Sequence, residues 1–380
     1  MGRSVALLAL LGGLLALAAC AAEERATPPP ATSPTAAVKP AWEQEWDRVL
    51  AAAKQEGKVG VVSAALGTAV REALTEPFQK KYGIQVDFLS GPGGEISGRV
   101  KTERAAGKYL WDVYISGLDT MLRSFKPEGA LEPLEPALIL PEVKEGKNWL
   151  GGQLQLADKD RMGLVMVTYS KSDIWINTDL VKPDEIKSWR DLLDPKWKGK
   201  IVADDPRVSG PGPTAFAFLY QHKDLGPDFI RELAKQQLVF SRDYSEPVQW
   251  LGQGKYAILV GGSDQLAYQL IKQGAPLRMV DPRKVKEGGE LNLGSGGVAL
   301  MSKAPHPNAA KVYLNWLLSK DGQVGFAQAV GYASRRLDVP TDHVPPEMRP
   351  AEGLWPAYTE EAVELKNAKV IPFVKEIFGE

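Results

Sequence analysis

The chain has 380 residues, 44% hydrophobic and 24% charged, with 37 Gly and 28 Pro, enough for one large or two ordinary domains of a soluble, turn-rich globular protein. A formal net charge of −1 gives no electrostatic reason to choose nucleic acid or an anionic membrane surface as partner. The one cysteine, Cys20, excludes a disulfide within the chain and a catalytic thiol in the folded body.

The first twenty residues differ in character from the rest. Arg3 supplies one positive charge, and residues 5–17 are apolar or glycine throughout. Such a run is too short for a transmembrane span and has the layout of a secretory signal peptide over 1–19. The segment Leu17-Ala18-Ala19-Cys20 resembles the lipobox of bacterial lipoproteins, which implies that Cys20 becomes the first mature residue and carries lipid. Each buried methylene contributes about 0.8 kcal/mol, so several acyl chains anchor stably where one holds reversibly. Residues 21–40 are rich in Ala, Pro, Thr and Ser and show no apolar periodicity. They read as a disordered tether, reaching roughly 60 Å if extended at about 3.1 Å per residue. The expected location is outside the cell's interior, anchored to the membrane by lipid and facing the periplasm or the exterior.

Folded sequence starts near Trp42. Residues 46–56 put Trp46, Val49, Leu50 and Ala53 on one face and end at Gly57, the pattern of an amphipathic helix. A strand at 58–63 leads to a helix at 69–82, a strand at 84–89, a Gly91-Pro92-Gly93-Gly94 turn, a helix at 95–106 and a strand at 112–116. This alternation predicts an open, mostly parallel α/β sheet. It resumes with strands at 172–177, 199–203, 256–260 and 297–301. Helices are predicted at 189–193, 213–222, 227–236, 247–251 and 308–319, with Pro213 suited to a first turn. Two α/β units in one chain predict two lobes with a cleft between them. No internal repeat points to a solenoid or propeller.

In open α/β sheets ligands lie beyond the carboxyl ends of the strands. The loops there supply Ser63 and Ala64, then Ser90, Gly93 and Gly94, then Ser116 and Gly117. The second unit supplies Arg207, Ser209 and Gly210 before a helix, and Gly262, Ser263 and Asp264 after the apolar strand 256–260. Glycine-rich turns that start helices expose backbone N–H groups where the dipole favours an electron-rich group, although Gly, Pro and Ser also simply make turns. Arg207 and Arg335 each offer a guanidinium fork for a carboxylate or phosphonate; Arg207 could equally pair with Asp204 or Asp205. Tyr244 could cover a ligand or fill a core.

Sequence motifs for catalysis are missing: there is no P-loop, G-x-S-x-G elbow, H-E-x-x-H or CxxC. The histidines, His222, His306 and His343, lie far apart and outside those loops. No catalytic residue, metal ligand or cofactor is therefore assigned. An enzyme on the same scaffold lacks a nucleophile–base set to draw on.

The segment Trp189-Arg190-Asp191-Leu192-Leu193-Asp194-Pro195-Lys196-Trp197-Lys198-Gly199-Lys200-Ile201, running into Asp205-Pro206-Arg207-Val208-Ser209-Gly210, resembles family 1 extracellular solute-binding proteins of ABC importers, the ferric-type subgroup most of all. Residues 50–59, 177–181, 307–311 and 319–323 extend the likeness over roughly 45–340. The resemblance implies a two-lobed, periplasmic-binding-protein-like α/β fold whose hinge the chain crosses more than once. Lobe 1 is expected at 41–140 and 270–325, and lobe 2 at 141–269 and 326–380. It further implies a monomer that closes on a small molecule and docks on a membrane permease driven by an ATPase.

One departure bears on the ligand. Ferric members of the family commonly use two adjacent tyrosines just after the strand matching 256–260, where this chain has Gly261-Gly262-Ser263-Asp264. No two of its tyrosines are adjacent. An organic anion or zwitterion suits the loops better, with ferric iron or a ferric chelate as the rival ligand and a sensor or scaffold as the rival role. Replacing Cys20 with Ser is expected to move the protein from the membrane to the soluble fraction on cell fractionation; continued membrane retention would contradict the anchor.

Overall fold

A computed structural model describes residues 39–380 except Leu66, Ser209, Gly210 and Tyr244. The expected signal peptide, Cys20 and nearly all of the tether lie outside the described residues, as do the candidate ligand residues Ser209, Gly210 and Tyr244. No helix among the described residues is long and apolar enough to cross a membrane.

The strands in chain order are β1 (Lys58–Ser63), β2 (Gln85–Ser90), β3 (Val113–Ile115), β4 (Leu131–Glu132), β5 (Gly163–Val165), β6 (Val167–Lys171), β7 (Ile174–Asn177) and β8 (Ile201–Asp204). They continue with β9 (Val239–Ser241), β10 (Ile258–Val260), β11 (Leu277–Met279), β12 (Glu290–Asn292), β13 (Gly297–Met301), β14 (Ala333–Ser334) and β15 (Trp355–Ala357).

The first lobe is built on the sheet β2-β1-β3-β13-β4, with β5 also paired to β13. Its central strand, β1, is Val-rich and buried on both faces, as a middle strand under helices must be. Val59 and Val61 enter one apolar cluster and Val62 another, the period-2 alternation of a strand. On the first face the helices Ala41–Glu56, Thr68–Tyr82 and Pro307–Leu318 pack. Phe78, Tyr313 and Trp316 meet there with ring centroids 4.9–5.3 Å apart. Burying each such side chain contributes about 2–3 kcal/mol. Gly57 ends the first helix in the left-handed region, φ 74°, its N–H donating to Ala53 O.

The second lobe carries the sheet β11-β7-β10-β8-β9. Its main cover is the helix Pro211–Gln221, buried along most of its length. Phe216 and Phe218 pack with Trp189 and Phe229 in the core.

A third sheet, β14-β6-β12-β15, joins the two. The chain leaves the first sheet at β5, passes through β6 and enters the second at β7; it returns through β12 to β13. Those two antiparallel strands, with Glu290 opposite Lys171 and Asn292 opposite Tyr169, are the hinge of a two-lobed α/β fold.

Two expectations change. The sheets are mixed rather than mostly parallel: β13 runs antiparallel to β3, and β7 to both β10 and β11. The reason is that β7 and β13 follow hinge strands through short turns and have no crossover helix to reverse them. The assigned lobe boundaries also shift, since β5 pairs in the first sheet and β11 in the second.

Gly296 lies where the hinge is tightest. A Cβ there would sit 2.7 Å from Val167 N and 2.8 Å from its Cγ2. Gly296→Ala is expected to cost about 1–3 kcal/mol by overpacking, read as a lower midpoint of urea unfolding; an unchanged midpoint would show that the hinge has slack.

Candidate functional site

A cleft of about 300 Å³ opens where the hinge sheet meets both lobes. Gly117 and Asp119 come from the turn after β3, and Gly262, Ser263, Asp264 and Gln265 from the turn after β10. Tyr169, Lys171 and Asn292 come from the hinge strands, Gly294 and Ser295 from the turn beyond them, and Tyr332 and Tyr358 from the C-terminal part of the chain. A neighbouring hollow of about 340 Å³ shares Asp264, Gln265 and Tyr332 and continues along the helix Asp264–Lys272. A larger one, about 380 Å³, lies along β11 and its following loop, at the edge of the second sheet and away from its strand carboxyl ends. Volume alone does not pick the site; topology does.

The floor of the cleft follows from strand alternation. Tyr169 and Lys171, two apart on β6, share a face with their cross-strand partners Asn292 and Glu290. Lys171 Nζ lies 2.9 Å from Asp173 Oδ1, 3.2 Å from Asp264 Oδ2 and 3.4 Å from Gly262 O, and all three residues of the ion cluster are nearly inaccessible. Burial opposes charge on Lys171, yet Asp173, Asp264 and Glu290 outweigh it and hold the ammonium protonated well above its ordinary range. Glu290 shows the reverse: burial first, then the Asp173 charge, raises its carboxyl well above the usual range. Burial likewise raises the Asp173 carboxyl despite the nearby Lys171.

Asp264 is fixed by three donors. Tyr169 OH donates to Oδ2 at 3.1 Å, Trp175 Nε1 donates to Oδ1 at 3.2 Å, and Lys171 completes the set. Ser263 caps the helix Asp264–Lys272, its Oγ accepting from Leu266 N. Ser263, Asp264 and Gln265 at the start of that helix line the cleft, and a helix start favours an electron-rich group. Tyr332 stacks on Tyr169 with centroids 4.2 Å apart and planes 11° from parallel. Its hydroxyl is pushed up to about 12 by burial and then by the Asp264 charge, so it remains a donor at neutral pH. Two non-glycine residues beside the cleft, Ser116 (φ 76°) and Tyr358 (φ 68°), occupy the left-handed region. Strain of this kind persists where surrounding structure enforces it and clusters at ligand sites.

The sequence-predicted residues divide. Gly117, Gly262, Ser263 and Asp264 line the cleft. Ser63, Ala64 and Ser116 lie just behind Gly117: Ala64 N donates to Ile115 O, Ser116 Oγ donates to Ser295 O, and a Cβ on Gly117 would come within 3.2 Å of Ala64 Cβ. Gly93 packs against Thr120, and Ser90 pairs with Ser63 at the end of β2. Gly94 opens instead on a separate hollow with Arg104 and Glu128. Arg207 is committed elsewhere. Its Nε and Nη2 donate to the two Asp205 oxygens at 2.7 and 2.9 Å, and Nη1 donates to Phe378 O and Gly379 O. Arg335 is buried, with Nη2 donating to Leu150 O. The sequence reading missed Tyr169, Lys171, Asn292, Tyr332 and Tyr358. A period-2 pattern placing Tyr169 with Lys171 was the available signal for the hinge; nothing local marks the two distal tyrosines.

Residues 73–351 match the family model of bacterial extracellular solute-binding proteins. The chain belongs to that family. It is 24% identical over 306 residues to the spermidine/putrescine-binding periplasmic protein 1 of Haemophilus influenzae, covering 76% of this chain and 78% of that one. Iron-bound HitA of Pseudomonas aeruginosa superposes with a TM-score of 0.62 at 17% identity, over 84% of this chain and 99% of that one. The periplasmic binding protein AfuA of Actinobacillus pleuropneumoniae, with fructose-6-phosphate bound, gives 0.58 at 21% identity, over 84% and 96%. These structures establish the fold, two lobes about a hinge. As a family member the chain is a solute-binding protein, as the resemblance in its sequence implied.

Beneath the cleft, Asp204 at the end of β8 accepts from Gly212 N at 2.6 Å. Burial raises its carboxyl to about 6. A carboxyl raised above its unfolded value makes the folded state bind more protons, so its contribution is full at low pH and is lost as pH rises through about 6. Asp204→Asn keeps an acceptor for Gly212 and removes the charge. Wild type is expected to lose on the order of 3 kcal/mol more than this variant between pH 4 and pH 7 in denaturant titrations. Parallel pH profiles for the two proteins would contradict the assignment.

Proposed function

We propose that this protein is the solute-capturing component of an ABC importer, held at the membrane by lipid on Cys20, and that its solute is a small zwitterion. It acts without catalysis: it binds between lobes and hands the solute to a permease. One observation carries the ligand class. Among the described residues lining the cleft, the one cationic side chain, Lys171, is already neutralised by Asp173 and Asp264.

A pure anion would meet Asp119 and Asp264 with no unspent cation to offset them. A pure cation would leave the helix start at Ser263–Gln265 facing a positive group. A molecule carrying both charges meets each need: its anionic end lies at the helix start, where backbone amides and the Ser263 turn receive it, and its ammonium lies over the tyrosine faces and the carboxylate-rich floor. The tyrosine hydroxyls, still protonated, supply neutral donors between the ends. Closure follows if the ligand touches both lobes only when they approach, because a ligand shifts an equilibrium only by its differential affinity for the two states.

The test is thermal unfolding with γ-aminobutyrate, β-alanine and aminomethylphosphonate, each against its single-charge analogues, plus ferric citrate. A ligand at a hundredfold its dissociation constant adds about 2.7 kcal/mol. At least one zwitterion is expected to raise the midpoint measurably while butyrate, butylamine and their counterparts do not. Stabilisation by ferric citrate alone, or equally by anions lacking an amine, would overturn this ligand class.

A further inference from the structure

We propose that the C-terminal helical run is a latch between the lobes, and that the ion pair Lys366–Asp119 governs how readily the cleft opens. The inference rests on the solute-cleft reading and names its regulation.

The run begins at the hinge. After β15, which pairs with β12, Tyr358 takes a left-handed backbone, its ring against Gly294 and its hydroxyl accepting from Thr214 of the second lobe at 3.1 Å. The helix Glu360–Leu365 then docks on the first lobe. Val363 is buried in the cluster that contains Leu118 and Phe125. Glu360 accepts from Lys126 Nζ at 2.6 Å and from Lys159 N at 3.1 Å. The helix Ile371–Phe378 docks on the second lobe instead, with Val370 and Val374 in the core beside Phe216.

Between the two docked ends the backbone widens into a π-turn, Lys366–Val370. Such turns inside helical runs are uncommon and recur at functional sites. At its first residue, Lys366 Nζ reaches back to Asp119 Oδ1 at 2.6 Å, with its side chain 8% exposed. Asp119 itself lines the solute cleft.

The two ends are held by different forces. The second-lobe end is fixed by apolar burial and by Arg207 donating to Phe378 O and Gly379 O. The first-lobe end depends in large part on ion pairs whose carboxylates reach solvent, Asp119 at 26% and Glu360 at 19%. Partly exposed pairs are the ones that salt and competition weaken. The first-lobe end is therefore the one that lets go.

The experiment uses the full chain with Cys20→Ser, and with spin labels on Ser97→Cys in the first lobe and Gln269→Cys in the second. Inter-label distances are measured without any solute, so the result stands apart from the ligand class. Lys366→Met is expected to raise the open-to-closed ratio about tenfold, within the range of ordinary coupling energies, seen as a longer-distance population. A Lys366→Met protein that is folded by circular dichroism and keeps the wild-type distance distribution would overturn the latch. If that variant fails to fold, Glu360→Gln carries the same test: a longer population supports the latch, and an unchanged one overturns it.

Discussion

One buried ammonium, Lys171, holds two hinge carboxylates and one from the second lobe together at the point where the chain crosses between the lobes. Its partners come from three directions: Asp173 from the turn after its own strand, Asp264 from the start of a second-lobe helix, and Glu290 from the opposing hinge strand. Taking these charges out of water costs several kcal/mol per ion, and mutual attraction repays it only with good geometry and further hydrogen bonds. Tyr169, Trp175 and Asn292 supply those bonds. A cluster that is satisfied in one arrangement and poorly satisfied in its neighbours gives the hinge a defined resting geometry.

The cleft is the upper surface of this cluster. The carboxyl ends of β3 and β10 are brought over the hinge sheet, and their short turns leave backbone amides and small side chains exposed. Gly261 and Gly262, at φ 77° and 88°, make the turn after β10 tight enough for Asp264 to reach Lys171. The cleft and the hinge thereby share residues: Asp264 belongs to both the ion cluster and the cleft wall. Solute that engages the helix start at Ser263 acts directly on the element that fixes the hinge.

Much of this was legible in the sequence, and the missing part has a physical reason. Strands β1 and β13 coincide with the predicted ranges, because their β-branched or apolar runs are bounded by turns. The turns holding Gly117 and Gly262–Asp264 were found because strand carboxyl ends locate ligands in this fold class. The hinge strand β6, VTYSK, reads as polar, and its burial arises from long-range pairing with β12 and β14. Tyr332 and Tyr358 reach the cleft from more than 60 residues beyond Ser263 by the same tertiary route. Arg207 was a reasonable anion ligand by residue type, but Asp205 and the carbonyls of Phe378 and Gly379 engage all three of its guanidinium nitrogens.

Solute held between the lobes above Lys171 is the central claim, and a crystal structure grown with whichever zwitterion stabilises the protein tests it most directly. The account predicts density spanning Gly117 and Ser263, with the anionic end toward the first turn of Asp264–Lys272 and the ammonium toward Tyr332 and Tyr358. Density confined to the hollow along β11, with the cleft holding only water, would contradict it.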